Sequence, residues 1–226
     1  MTGDDARHIG RSLRMRVGEM LELCDGQGHA VRGELVHMEA ERVTVGKLCP
    51  LEESTEPFVA VTVFQGLPKG EKMEAVVQKC TELGAVRIVP VCMKRCIVTP
   101  EGGAKKTERL KRIALEAAKQ SGRCLVPEVE APISFEEALR RLKEATSAFV
   151  CSEYERELSL KNWVAQQKTA HETAFLVGPE GGLDETELAR LREEGLTEIT
   201  LGRRILRTET AAPAVTAVLV YEWGDR

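Results

Sequence analysis

The apolar residues change period near residue 54, and that change divides the chain. Before it, short β-prone runs at 17–24, 30–37 and 42–47 are separated by turn residues such as Asp25-Gly26 and Gly28. No long helical pattern interrupts them, so residues 1–54 are expected to form a small β-barrel or sandwich. The segment Pro50-Leu51-Glu52-Glu53-Ser54-Thr55-Glu56-Pro57 is polar, holds two prolines and has no period, which marks a junction. Beyond it, strand and helix patterns alternate. Residues 58–64 read as a strand. Residues 69–83 read as a helix with Met73, Val76, Val77, Cys80 and Leu83 on one face and Gly84 as its terminator. A strand at 86–91 and a helix at 105–121 follow. Ser134 and Glu137 carry a capping-box signature for a helix through Leu142. Strands are expected at 149–151 and 174–177, a helix from Asp184 to about Glu194, and a strand at 198–201. The last helix, 208 to about 223, tolerates Pro213 near its start. This alternation over residues 55–226 implies an α/β domain with a mostly parallel sheet.

Charge limits the partners. Lys and Arg number 32 against 36 Asp and Glu, a net of -4, which excludes a polybasic protein but leaves room for local patches. Two such patches exist. Residues 94–123 hold nine basic side chains against three acidic ones, and residues 7–16 hold Arg7, Arg11, Arg14 and Arg16 with no acid. Aromatic residues make up 4%, too few for a surface built on base stacking. The most apolar stretch, 211–221, is short and contains Pro213 and Thr216, so no membrane span and no membrane partner are expected. The first residues lack the apolar run of a secretory signal. Seven cysteines are scattered, and Cys92 and Cys96 do not form a CxxC pair. They read as reduced thiols of a cytoplasmic protein, with no metal site.

Two loops carry the candidate chemistry. Leu176-Val177-Gly178-Pro179-Glu180-Gly181-Gly182 lies between a strand and a helix, where glycines allow a ligand to approach the backbone. It has neither a Gly-Lys-Ser/Thr nor a GxGxxG pattern, and Glu180 would repel phosphate, so a cationic or neutral ligand fits better. Leu201-Gly202-Arg203-Arg204-Ile205-Leu206-Arg207-Thr208-Glu209-Thr210-Ala211 also joins a strand to a helix. Thr208 or Thr210 can cap that helix. Both loops are expected at the ends of neighbouring strands.

The order of these motifs resembles the SPOUT-class RNA methyltransferases, and within them the RsmE family. GPEGG precedes LGRRILRTETA by about twenty residues. Arg7-His8-Ile9 and Arg11-Ser12-Leu13-Arg14 resemble the family's opening, and Asp25-Gly26-Gln27-Gly28 its first turn. Lys69-Gly70-Glu71-Lys72-Met73-Glu74 leads into Lys79-Cys80-Thr81-Glu82-Leu83-Gly84, and Glu116-Ala117-Ala118-Lys119-Gln120-Ser121-Gly122-Arg123 precedes Pro127. The resemblance implies a SPOUT domain with a deep trefoil knot, a PUA-like β-barrel ahead of it, and a homodimer. It implies S-adenosylmethionine as cofactor and methylation of uridine N3 in bacterial 16S ribosomal RNA within the 30S subunit.

On that reading, the cofactor is held by Leu176, Val177, Gly178, Pro179, Glu180, Gly181 and Gly182 with Leu201, Gly202, Ile205, Leu206, Arg207, Thr208, Thr210 and Ala211. Leu176 and Ile205 would enclose the adenine face. Arg207 would stabilise charge on the uracil oxygens, and Glu209 or Glu180 would accept the N3 proton. Glu209 can instead simply favour the helix N-terminus. RNA contacts are expected from Arg7, His8, Arg11, Arg14, Lys69, Lys72, Lys94, Arg95 and Arg123. A related enzyme acting on another base or a ribose would differ in the nucleotide it modifies. A non-catalytic RNA-binding factor would not bind the cofactor, and a nucleotide hydrolase would need the phosphate loop that is missing.

Overall fold

The computed structural model of the chain describes residues 1–51, 54–96, 103–167 and 171–224. It forms two compact units, Met1–Thr55 with Arg123–Leu125, and Glu56–Gly122 with Val126–Arg226.

The first unit opens with a short helix α1 (Asp4–Arg7) and a π-helical turn over His8–Ser12. Strands β1 (Met20–Cys24), β2 (Ala30–Met38) and β3 (Val43–Pro50) follow. They pair antiparallel in the order β1-β2-β3. Exposure alternates along β1, as it must when one face of a sheet meets a core and the other meets water. Leu35 and Val43 of the sheet bury against Ala6 and Ile9 of the N-terminal turns. Among the described residues, the expected barrel is therefore represented by one three-stranded sheet closed on one face by residues 4–12. The 123–125 segment joins this unit through Cys124, whose carbonyl accepts the Gly28 N–H at 3.0 Å.

The second unit alternates strands and helices. Strand β4 (Ala60–Gly66), helix α2 (Lys72–Glu82), β5 (Ala85–Cys92) and helix α3 (Gly103–Ser121) come first. Two-residue strands β6 (Glu128–Val129) and β7 (Ile133–Ser134) precede helix α4 (Phe135–Glu144) and β8 (Ala148–Cys151). Helix α5 (Leu160–Gln166), β9 (Glu172–Val177), helix α6 (Glu185–Glu193), β10 (Thr197–Ile199) and helix α7 (Thr208–Trp223) complete it. The strands form one sheet in the order β10-β8-β9-β4-β5-β6, with β7 also on β5, and every pairing is parallel.

Both faces of this sheet are covered, so its strands are apolar at nearly every position. Val61, Val63, Phe149, Phe175 and Val177 point to the layer that contains α2, α3, α5 and α7. Phe64, Val150, Ala174 and Leu176 point the other way, onto α4 and α6. Ends of helices are marked by the expected caps. Ser134 Oγ accepts the Glu137 N–H at 3.2 Å, and Asp184 with Glu187 forms a reciprocal capping box. Replacing Ser134 with Ala is expected to cost about 1 kcal/mol in urea unfolding. A loss below about 0.3 kcal/mol would show that packing of α4 alone sets its start.

Three sequence expectations are corrected here, and one helix is added. The strands before the two chemical loops, β9 and β10, are not neighbours, because β8 lies between them. Neither Thr208 nor Thr210 caps α7: Thr208 is its first residue, and the capping position falls on Arg207, which makes no side-chain cap. Helix α5 was not anticipated, although Ser159 Oγ accepts the Asn162 N–H as its cap. Arg123, expected at an RNA surface, is buried in the first unit at 7% exposure.

Candidate active site

All strands of the second sheet run parallel, so the segments that follow them gather at one edge. There, the residues after β8, β9 and β10, with the starts of α2 and α7, enclose a cavity of about 380 Å³. A volume of this size suits a small organic ligand. The β9 loop contributes Val177, Gly178, Pro179, Glu180 and Gly182, and the β10 loop contributes Leu201, Gly202, Ile205, Leu206 and Arg207. Thr208, Glu209 and Ala211 complete the wall from α7. Of the expected cofactor residues, Leu176, Gly181 and Thr210 do not line it. Leu176 is fully buried and faces the α4–α6 layer, since its neighbour Val177 takes the opposite face of the strand. Ile205 stands at the rim, 75% exposed.

The two loops are fixed to each other by a buried polar link. Gln65, at the end of β4, donates from Nε2 to Thr208 Oγ1 at 2.8 Å and to the Gly66 carbonyl at 2.9 Å. Thr208 Oγ1 in turn donates to the Gly178 carbonyl at 2.6 Å. Gly66 sits directly under the β9 loop: a Cβ there would lie 2.6 Å from both N and Cδ of Pro179. Gly178 is similarly close to Gly182, 3.1 Å from a hypothetical Cβ to its carbonyl carbon. Gly202 has φ +110 and open space where a Cβ would be, which leaves its backbone accessible to a ligand. Arg95 holds the far side of the β9 loop by donating to the Gly181 carbonyl at 2.8 Å. It was expected to contact RNA, yet this side chain is engaged in shaping the loop.

Charge is concentrated on one wall. Lys72 Nζ donates to Glu180 Oε1 at 2.8 Å and lies 3.8 Å from Glu209 Oε2. Burial pushes the Glu180 carboxyl up, but the Lys72 ammonium with the Glu180 and Lys69 backbone amides outweighs it, leaving the group below its ordinary value. Glu209 Oε2 is buried and makes no hydrogen bond within the described residues. The Arg207 side chain is exposed and forms no ion pair among the described residues. Glu153, Tyr154 and Arg156, after β8, also line the cavity and were not anticipated. Cys151 lines it too, and burial pushes its thiol up, which disfavours the thiolate. Arg7 is paired with Asp4 at 2.7 Å, while His8, Arg11, Arg14, Lys69 and Lys94 are exposed. No cluster of three or more potential metal ligands occurs among the described residues.

Known RNA methyltransferases resemble the chain along almost its whole length. The family model for an RNA methyltransferase domain matches residues 54–220, and that for an RNA methyltransferase PUA domain matches residues 1–48. Ribosomal RNA small subunit methyltransferase E of Bacillus subtilis is 34% identical, over 98% of this chain and 89% of the relative. The protein of that name from Synechocystis is 31% identical, over 96% of this chain and 71% of the relative. Among solved structures, a Ribosomal RNA small subunit methyltransferase E from Neisseria gonorrhoeae bound to S-adenosyl methionine is 35% identical, with a TM-score of 0.85 over 98% of this chain and 91% of that one. A Legionella pneumophila methyltransferase in complex with the same cofactor is 30% identical, with a TM-score of 0.83 over 98% and 90% of the two chains. A two-part family match over almost the whole length and relatives of one name at this identity place the chain: it belongs to the RNA methyltransferase family that includes the ribosomal RNA small subunit methyltransferases E.

Proposed function

We propose that this chain transfers the methyl group of S-adenosylmethionine to N3 of a uridine in bacterial 16S ribosomal RNA. The observation that carries the proposal is the cavity itself, where two glycine-bearing loops meet the Lys72 ammonium, the Glu180 and Glu209 carboxylates beside it, and the Arg207 guanidinium. Apolar Val177, Leu201, Leu206 and Ala211 suit an adenine ring, and Gly202 leaves backbone groups within reach of it. Glu153, Glu180 and Glu209 suit a cationic sulfonium better than a polyphosphate. When bound, S-adenosylmethionine supplies a methyl group already activated by its sulfonium, so the protein's main task is positioning.

The acceptor atom lies on the pairing edge of uracil, so the base must be unpaired or flipped to enter. Arg207, exposed at the cavity, donates hydrogen bonds to the uracil oxygens as negative charge develops on them. Glu209 accepts the N3 proton, since its buried Oε2 has no other hydrogen-bond donor. Residues 55–226 form the methyltransferase domain, with the chain around 176–182 and 201–211 wound into a trefoil knot. Residues 1–54 form the PUA-like domain that holds RNA, through Arg11 and Arg14 among others. The enzyme acts in the cytoplasm and as a homodimer, and the exposed Val218 and Tyr221 of α7 support the second of these.

The test is incubation with tritiated S-adenosylmethionine and unmodified small ribosomal subunits, followed by mapping of the labelled nucleotide. Label at uridine N3 is expected; label on another base or a ribose overturns the proposal. Because the chain carries a net charge of -4, its affinity for naked RNA is expected to be modest, and folded particles should be methylated faster than a short oligonucleotide. Equal rates on both would contradict this.

A further inference from the structure

We propose that Lys72 is a positioning residue that divides the work of the two carboxylates beside it, occupying Glu180 and leaving Glu209 as the open proton acceptor. The inference rests on the methyl-transfer reading above. Lys72 was expected to meet RNA, but as the first residue of α2 it reaches into the cavity instead. There it stands between a residue of the β9 loop and a residue of α7. Glu180 Oε1 receives two donors, Lys72 Nζ at 2.8 Å and the Lys69 N–H at 3.0 Å. Glu209 Oε2 receives none, and the ammonium at 3.8 Å attracts it without hydrogen-bonding it. An oxygen already holding two donors is a poor acceptor for a third, whereas a buried oxygen with free lone pairs is a strong one.

The three side chains are partly shielded, at 34%, 30% and 21% exposure, so solvent weakens their coupling without erasing it. The other charged groups at this cavity are Arg204 and Arg207 before α7 and Glu153 and Arg156 after β8. Lys72 is the one whose ammonium is within ion-pair distance of both carboxylates. In the reaction, the N3–H bond breaks and the proton passes to Glu209. The electron pair left on nitrogen forms the N–C bond, and the C–S pair leaves with sulfur as a neutral thioether. Glu209 must therefore be ionised at the start. Without the cation, the two neighbouring carboxylates would repel with nothing between them, which disfavours the doubly ionised pair.

The experiment measures kcat against pH for the wild type, Lys72→Met, Lys72→Arg and the double variant Lys72→Met with Glu180→Gln, at saturating cofactor and subunit. Lys72→Met is expected to lower kcat by about tenfold or more and to move the acid limb up by about one pH unit. Lys72→Arg keeps the cation and the wild-type limb. In the double variant the repelling charge is gone, and the limb returns toward its wild-type position. An unmoved limb in Lys72→Met overturns the proposal even if kcat falls, because a purely structural role would give that result. A limb displaced in Lys72→Arg, or one that stays displaced in the double variant, also overturns it. A wild type that methylates no RNA would instead remove the underlying reading.

Discussion

Replacing Arg207 with Ala is expected to lower the rate of methyl transfer by about 10²–10³-fold while changing stability by less than about 0.5 kcal/mol. The two effects separate because of where Arg207 lies. Its backbone holds the capping position of α7 in an extended conformation, which Ala adopts equally well, and its side chain contributes no cap. The guanidinium is exposed at the cavity, so its removal leaves no buried group without a partner. On the proposed mechanism, what is lost is a donor to charge that develops only in the transition state. Cofactor affinity, read by calorimetry, should change little. Lys at this position restores charge but not the planar pair of donors, and should recover only part of the rate. A rate within threefold of the wild type for Arg207→Ala would remove Arg207 from the mechanism.

The second large effect is expected at Gly66, which touches no ligand. A methyl group there would sit 2.6 Å from the backbone nitrogen of Pro179 and 2.9 Å from Met93 Sδ. Neither the parallel strand β4 nor the proline ring can retreat freely, so the β9 loop must move. Gly66→Ala is expected to cost about 1–3 kcal/mol of stability through overpacking. It should also weaken S-adenosylmethionine binding by about tenfold, or about 1.4 kcal/mol. Urea unfolding and calorimetry measure the two. Unchanged cofactor affinity would mean that the loop position under Gly66 does not shape the cavity.

Gly66 illustrates what local sequence hides. The glycines of the β9 loop draw attention because they cluster between a strand and a helix pattern. Gly66 ends an ordinary apolar strand, and its need to be glycine arises from Pro179, more than a hundred residues away. Leu176 is the converse case. Residues 174–177 of this strand, buried on both faces, are all apolar, so nothing in them tells which face the cavity side and which face α4 and α6. Asp184 and Ser134 were legible because a cap is read by backbone within three residues of it. Thr208 looked like another cap, but its hydroxyl is held by Gly178, a partner no local pattern announces.

The sequence by itself determined the order and kind of the main elements, since these follow from apolar period and turn chemistry within windows of a dozen residues. It also determined the composition of the two chemical loops. The tertiary structure alone decided that β8 separates the strands before those loops, that residues 123–125 join the first unit, and that Lys72 turns into the cavity between Glu180 and Glu209. These depend on pairings between distant segments, whose free energy is set by the packing of the whole sheet and its helices rather than by any residue's neighbours in the chain.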